Sequence, residues 1–261
     1  MRVLFLQPPM GAWSTWGKHI AININHAQLA ANLREWYPNI KINVLDCRAL
    51  CFDEKKMLSV IEEINPNLIY MGDAIQTNGV AAMAAKHQDA AKLIKKAMPN
   101  VKICVGGFYY GTNAKRFLPE MPEFDYIIAG ETEVTFPELA NELSKENPDI
   151  ESVKGLAFRD NGEVKLTPYR PLFENLDDLP FPAYDLFPMD KYIGFGYVKN
   201  YVEMYASRGC PNGCRFCVCW TNYDSRGNND WTHYRIRSGD HVAEEMSILE
   251  RKYNIKCIVL M

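Results

Sequence analysis

Val202-Glu203-Met204-Tyr205-Ala206-Ser207-Arg208-Gly209-Cys210-Pro211-Asn212-Gly213-Cys214-Arg215-Phe216-Cys217 decides how this chain is read. The first half is an apolar, strand-like run, and the second half sets three cysteines at C-x3-C-x2-C spacing. Gly213 lets the backbone turn tightly between them, so three thiolates can face one cluster; three ligands leave one iron of a [4Fe-4S] cube open for chemistry. Two other readings compete. Cys219 would complete a four-cysteine zinc site, but structural zinc sites pair two separated knuckles and the sequence has no second one. Disulfides are the other alternative. Eight cysteines in 261 residues is ordinary usage, and the apolar stretch Val3-Leu6 is too short for a secretory signal and runs into Pro8-Pro9. Cys47, Cys51, Cys104 and Cys257 are dispersed, the last two in apolar runs that suit small buried thiols.

Toward the N-terminus, strand and helix patterns alternate. Strands are predicted at Val3-Leu6, Ile42-Leu45, Leu68-Met71, Lys102-Val105 and Tyr126-Ala129, with helical apolar spacing between them. Leu29, Leu33 and Trp36 recur at that spacing, as do Met57, Ile61 and Ile64 before Pro66, and Met83, Ala90 and Ile94 before Pro99. Thr135-Phe136-Pro137-Glu138 reads as a capping box opening a further helix. Five strands joined by single helices predict an α/β fold, with residues 1–146 forming a Rossmann-like (flavodoxin-like) five-stranded parallel sheet. Such a sheet binds ligands beyond the carboxyl ends of its strands. The loops there are polar or glycine-bearing: Gln7-Pro8-Pro9-Met10-Gly11, Gly72-Asp73 through Gly79, Gly106-Gly107-Phe108 and Gly130-Glu131-Thr132-Glu133. Glycine there lets a flat or phosphate-bearing ligand approach the backbone, although it also simply makes tight turns.

Residues 147–200 read as a connector. Asp160-Asn161-Gly162 predicts a two-residue hairpin turn, and five prolines between Pro168 and Pro188 break regular structure around Leu176-Asp177-Asp178-Leu179. Residues 201–261 open with the cysteine stretch. A polar, aromatic-bearing loop follows, then a helix N-capped by Ser238 with Val242, Met246, Leu249 and Tyr253 on one face, and a strand at Ile255-Met261. Arg235 and Arg237 read as solvated surface. With 48% hydrophobic residues and a net charge of −3, the composition predicts a soluble, cytoplasmic protein of about two domains, with no nucleic-acid or membrane partner.

The three cysteines, with an aromatic before the last and a strand before the first, resemble the radical S-adenosylmethionine (SAM) superfamily. That resemblance implies that Cys210, Cys214 and Cys217 hold a [4Fe-4S] cluster, that Phe216 lies near the adenine of SAM, and that the open iron chelates SAM. It also implies an electron donor such as flavodoxin or ferredoxin and reductive cleavage to a 5′-deoxyadenosyl radical, chemistry that belongs to the cofactors. The order QPP, a polar loop with Thr77, VGG and GETE, followed by Asn175-Leu176-Asp177-Asp178-Leu179-Pro180, is similar to the subfamily in which a cobalamin-binding domain precedes the radical SAM domain. By position, Asp73, Thr77, Gly106, Gly107, Gly130 and Glu131 would line cobalamin. The first loop lacks the D-x-H-x-x-G that supplies a cobalt histidine in other cobalamin proteins, and the neighbours of His19 do not match it.

The activity implied is methyl transfer or oxidative cyclisation on a small-molecule substrate. The competing readings are a non-catalytic corrinoid- or cluster-binding module, and a radical SAM enzyme whose N-terminal domain has lost the corrinoid. Only the first βαβ portion of a partial (β/α) barrel is expected within residues 201–261. On that reading the chain is incomplete or is completed by a second polypeptide.

Overall fold

The computed structural model describes residues 1–10, 19–72, 80–210, 212 and 234–261. Asp73, Thr77, Cys214, Phe216, Cys217 and Cys219, to which the sequence gives candidate roles, lie outside these residues. The first unit runs β1 (Arg2–Gln7), α1 (Ile24–Trp36), β2 (Lys41–Asp46), α2 (Glu54–Ile64), β3 (Leu68–Gly72), α3 (Val80–Ala97), β4 (Lys102–Gly106), α4 (Phe108–Gly111), α5 (Ala114–Glu120), β5 (Tyr126–Ile128) and α6 (Thr132–Glu142). Strands β1 to β5 are parallel in the order β2-β1-β3-β4-β5. β3 is buried along its whole length, as a central strand covered on both faces must be, whereas β2 at the edge is half-buried.

The sheet has seven strands where the sequence suggested five. β6 (Leu156–Asp160) pairs antiparallel with β5, and β7 (Glu163–Leu166) pairs antiparallel with β6. The two-residue turn forms at Asn161 and Gly162, both at positive φ. Instead of belonging to a separate connector, the hairpin covers the edge of β5: Leu156, Ala157 and Phe158 are buried and complete the core on both faces.

Helix ends follow local chemistry. Asp53 caps α2 by accepting from the Lys56 N–H, and Asn65 ends it in the left-handed conformation. The expected capping box at Thr135 does not start α6, which begins three residues earlier at Thr132. The Thr135 hydroxyl instead donates to the Lys154 carbonyl. Pro137 therefore sits inside the helix and cannot donate to the Glu133 carbonyl; the buried Asn32 side chain donates to that oxygen at 2.9 Å.

The remainder comprises short two-residue strands β8 (Ile193–Gly194) and β9 (Val198–Lys199), then β10 (Tyr201–Met204), β11 (Ser207–Arg208), β12 (Arg235–Ile236), α7 (Gly239–Tyr253) and β13 (Cys257–Leu260). β10 and β13 pair in parallel, making a βαβ unit with α7. Ser238 caps α7 by accepting from the His241 N–H. A third apolar cluster joins Ile20, Ile22 and Ile24 of the first unit to Tyr184, Phe187 and Tyr192 of the proline-rich segment and to Val202, Met204 and Leu249 of the βαβ unit. Among the described residues no helix is long and apolar enough to cross a membrane.

Candidate functional site

The carboxyl ends of β1 to β5 form one rim. The chain leaves β1 for β2 on one side and returns to β3 on the other, so the topological switch point lies between β1 and β3. Asn23 spans this point, donating to Gln7 Oε1 at 3.2 Å and to the Gly72 carbonyl at 3.1 Å while capping α1. His26 Nε2 accepts from the Gly72 N–H at 3.0 Å. Burial, aided by the neighbouring His87, pushes the His26 imidazole down to about 3, so it stays neutral and can accept. Beyond β1 and β2 lies an open cleft of about 700 Å³, bordered by Pro9, Met10, Ile20, Cys47, Arg48 and Lys86.

His19 is engaged on both ring nitrogens. Nδ1 accepts from the Phe195 N–H at 3.1 Å, which leaves the proton on Nε2, 3.2 Å from Glu203 Oε1 on β10. Arg48 donates to the His19 carbonyl. This histidine therefore ties the first loop to the βαβ unit.

The loop after β5 makes polar contacts with the strands that flank the cysteine segment. β11 and β12 form a two-residue antiparallel ladder in which Arg208 stands opposite Arg235. Arg235 donates to Glu131 Oε1 at 2.5 Å and to Oε2 at 3.1 Å, and also to the Phe173 carbonyl at 2.5 Å. Arg208 lies 2.7 Å from Glu133 Oε1 and 3.7 Å from Glu131 Oε1. The Phe173 N–H donates to Glu131 Oε2 at 2.9 Å. Burial opposes the charge on Glu131, yet the hydrogen bond from Arg235 and the nearby Arg208 charge hold its carboxyl below the usual range. Arg237 is also internal: it pairs with the buried Glu245 of α7 at 2.5 Å and donates to the Tyr205 carbonyl at 2.7 Å. Tyr184 donates to the other oxygen of Glu245 at 2.5 Å. The reading of Arg235 and Arg237 as solvated surface is thus overturned, because each has a carboxylate from another element within reach.

Cys210 follows directly on this ladder, after Gly209 at φ 84°, and its half-buried thiol is free. Cys214 and Cys217 follow it in the sequence, and three such soft donors would suit an iron–sulfur cube and fall one ligand short of a closed zinc site. The expected corrinoid residues divide. Gly107 and Gly130 have φ near +103° and +102°, and a Cβ at Gly130 would meet nothing within 4 Å, so the backbone there is open to a flat group. Gly106 is explained by packing, since a Cβ would lie 2.8 Å from Thr132 Cγ2 and from the Tyr70 hydroxyl. The Glu131 carboxylate is taken up by arginines. In the sequence Arg235 reads as surface, and Arg208 and Glu133 carry no assigned role. Their only signal there was a pair of acids at 131 and 133 with no basic residue nearby in sequence to match them.

No family model matches the chain. It is 31% identical to an uncharacterised methyltransferase of Pyrococcus horikoshii, across 98% of this chain and 52% of that protein. It is 25% identical to the anaerobic magnesium-protoporphyrin IX monomethyl ester cyclase of Rubrivivax gelatinosus, across 100% of this chain and 44% of that one. The radical SAM methyltransferase TsrM of Kitasatospora setae, solved with cobalamin and a [4Fe-4S] cluster bound, matches in fold with a TM-score of 0.70, covering 99% of this chain and 47% of TsrM at 17% identity. The chain spans about half the length of the curated relatives it matches. A parallel sheet followed by a three-cysteine βαβ unit defines a two-part class, and these relatives specify it. The relatives and the fold fit the radical SAM proteins that depend on cobalamin, and the chain is similar to them.

Proposed function

We propose that this chain is part of a cytoplasmic radical SAM enzyme that performs cobalamin-dependent methyl transfer or oxidative cyclisation on a small molecule, with reducing equivalents from a flavodoxin- or ferredoxin-type donor. The observation that carries this reading is the three-cysteine segment held by its base against the carboxyl rim of the first sheet. Cys210, Cys214 and Cys217 would hold the cluster, with Phe216 beside SAM. When bound, the cluster supplies the electron that cleaves SAM, and cobalamin supplies or accepts the methyl group.

The chain's own residues orient these groups. Gly130 presents open backbone to a corrinoid, Asp73 and Thr77 are proposed to complete that side, and Gly106 carries the turn into Gly107, whose φ of 103° suits only glycine. Arg208 and Arg235 fix the ends of the cysteine segment. A radical SAM enzyme without corrinoid is the second reading, favoured by the internal roles found for Gly106 and Glu131.

Anaerobic reconstitution tests the cluster. About four irons per chain are expected from a three-cysteine cube. Cys219→Ala should keep the iron, and alanine at Cys210, Cys214 or Cys217 should abolish it. Zinc retained in preference to iron, or loss only with Cys219→Ala, would overturn the assignment. Equilibrium dialysis against hydroxocobalamin separates the two readings: retention supports the corrinoid, and no retention at high micromolar concentration leaves the second.

A further inference from the structure

The β11–β12 ladder that directly precedes Cys210 forms a neck only two residue pairs long. Residues 209–234 lie between β11 and β12 in the sequence, and the two strands share two register pairs, Ser207 with Ile236 and Arg208 with Arg235. Two arginines directly opposite each other on one ladder repel, and so short a ladder has little of its own to offset this. Both guanidinium groups are nonetheless largely buried, at 11% and 10% side-chain exposure. Their charge is met by Glu131 and Glu133, which come from the other unit and are 12% and 5% exposed.

The two acids are themselves fixed. Glu131 is the N-cap residue of α6 and accepts from the Phe173 N–H; the Glu133 carbonyl is held by Asn32. Near-complete burial on both sides makes these charges interdependent, since a desolvated charge stripped of its partner is strongly unfavourable. Arg208 also lies over the Tyr205 ring at 5.9 Å, and beside the ladder the Arg237 N–H donates to the Ala206 carbonyl at 3.0 Å.

We propose that Glu131 and Glu133 are positioning residues for Cys210 of the iron–sulfur site: by neutralising Arg208 and Arg235 they hold the neck closed, so the docked first unit fixes the backbone from which Cys210 follows. This rests on the cluster reading above. It assigns the GETE loop to holding the cysteine segment, where its resemblance pointed to corrinoid contact.

The test compares the 261-residue chain with Glu131→Gln/Glu133→Gln, which keeps shape and removes charge. In the metal-free chain, amide exchange at residues 207–208 and 235–237 should quicken at least tenfold, with β3 and β4 unchanged as the internal measure of folding. After reconstitution, the variant should release iron to a chelator at least tenfold faster, and the paramagnetic resonance spectrum of its reduced cluster should differ in g-values from wild type. The exchanged pair Glu131→Arg/Arg235→Glu should recover part of both losses, which a purely steric role would not. Should the double variant fail to fold, Glu131→Gln alone carries the same readouts. Unchanged exchange at the neck together with an unchanged cluster spectrum overturns the proposal. Wild-type chain that holds no iron sinks the cluster reading instead, and the exchange arm still decides whether the acids close the neck.

Discussion

His87 offers a direct test of how tightly the first unit is built. It lies in α3, fully buried, stacked on Tyr110 at 6.0 Å with an interplanar angle of 20°. Its Nδ1 is 3.1 Å from the Tyr110 hydroxyl, which donates onward to the Ala84 carbonyl at 3.4 Å; Nε2 has no hydrogen-bond partner among the described residues. Burial lowers its pKa from 6.5 to about 3, and His26 behaves alike. Below pH 6.5 the unfolded chain takes up a proton at each histidine while the folded chain refuses it until about pH 3, so stability present above 6.5 is lost as the pH falls. The loss is about 1.4 kcal/mol per pH unit for each histidine. Between pH 7 and pH 5 it integrates to about 2 kcal/mol for each, or about 4 kcal/mol for both.

His87→Leu removes one titration along with an unpartnered buried nitrogen. At pH 7 it should cost about 1 kcal/mol for the lost hydrogen bond to Tyr110. At pH 5 the variant should have recovered about 2 kcal/mol relative to wild type. Urea unfolding of both chains at the two pH values, followed by far-ultraviolet circular dichroism, measures this difference; carboxylates that titrate in both proteins cancel from it. Identical pH dependence in the two chains would show that His87 is not held neutral and would refute the reasoning.

Glycine substitutions should rank by cause: Gly106→Ala meets Thr132 and Tyr70 at 2.8 Å and should cost about 1–3 kcal/mol by overpacking, while Gly130→Ala meets nothing and should cost about 1–2 kcal/mol from its φ of +102° alone. Thermal melts of Gly106→Ala matching wild type would rule out the packing explanation. Asn32→Leu should cost about 1–3 kcal/mol by leaving the Glu133 carbonyl unpaired, and Pro137→Ala should relieve part of that loss by restoring the helical donor; strict additivity of the two would count against it. Arg237→Met should cost about 3–5 kcal/mol because it strands Glu245, and Arg237→Met/Glu245→Leu should regain most of it; a double variant as unstable as the single would assign the loss to something other than the charge.

The strands of the first unit were legible because parallel strands covered on both faces read as short continuous apolar runs. Leu68 to Met71 needed no tertiary information to be recognised. The hairpin was legible as a hairpin through Asn161-Gly162, but its place was not: pairing of Phe158 with Tyr126 depends on which edge lies open, and nothing local records that. The start of α6 was missed for a related reason. Thr135 and Glu138 carry the side chains of a capping box, but the hydroxyl bonds to Lys154 and the carboxylate to Arg170, both distant in sequence. Charge was the least legible feature. Arg208, Arg235 and Arg237 are written among polar residues, and their partners at Glu131, Glu133 and Glu245 can be matched to them only after folding.

These corrections bear on where a ligand could lie. The rim of a doubly wound sheet is ordinarily free to receive a cofactor along its length, with loops whose polar groups await that ligand. Here the point between β1 and β3 is bridged by Asn23 and His26, and the acids after β5 are bound to the base of the cysteine segment. Docking of the second unit and binding of a planar group therefore draw on the same rim. The backbone at Gly130 is open where the Glu131 side chain is committed, so the described part of this loop would meet a corrinoid with main chain and shape. Binding of that kind should be only weakly dependent on salt, because it spends no exposed ion pair. Hydroxocobalamin retention that fell tenfold between 0.05 and 0.5 M sodium chloride would place charged side chains, and not the glycine backbone, at the centre of the site.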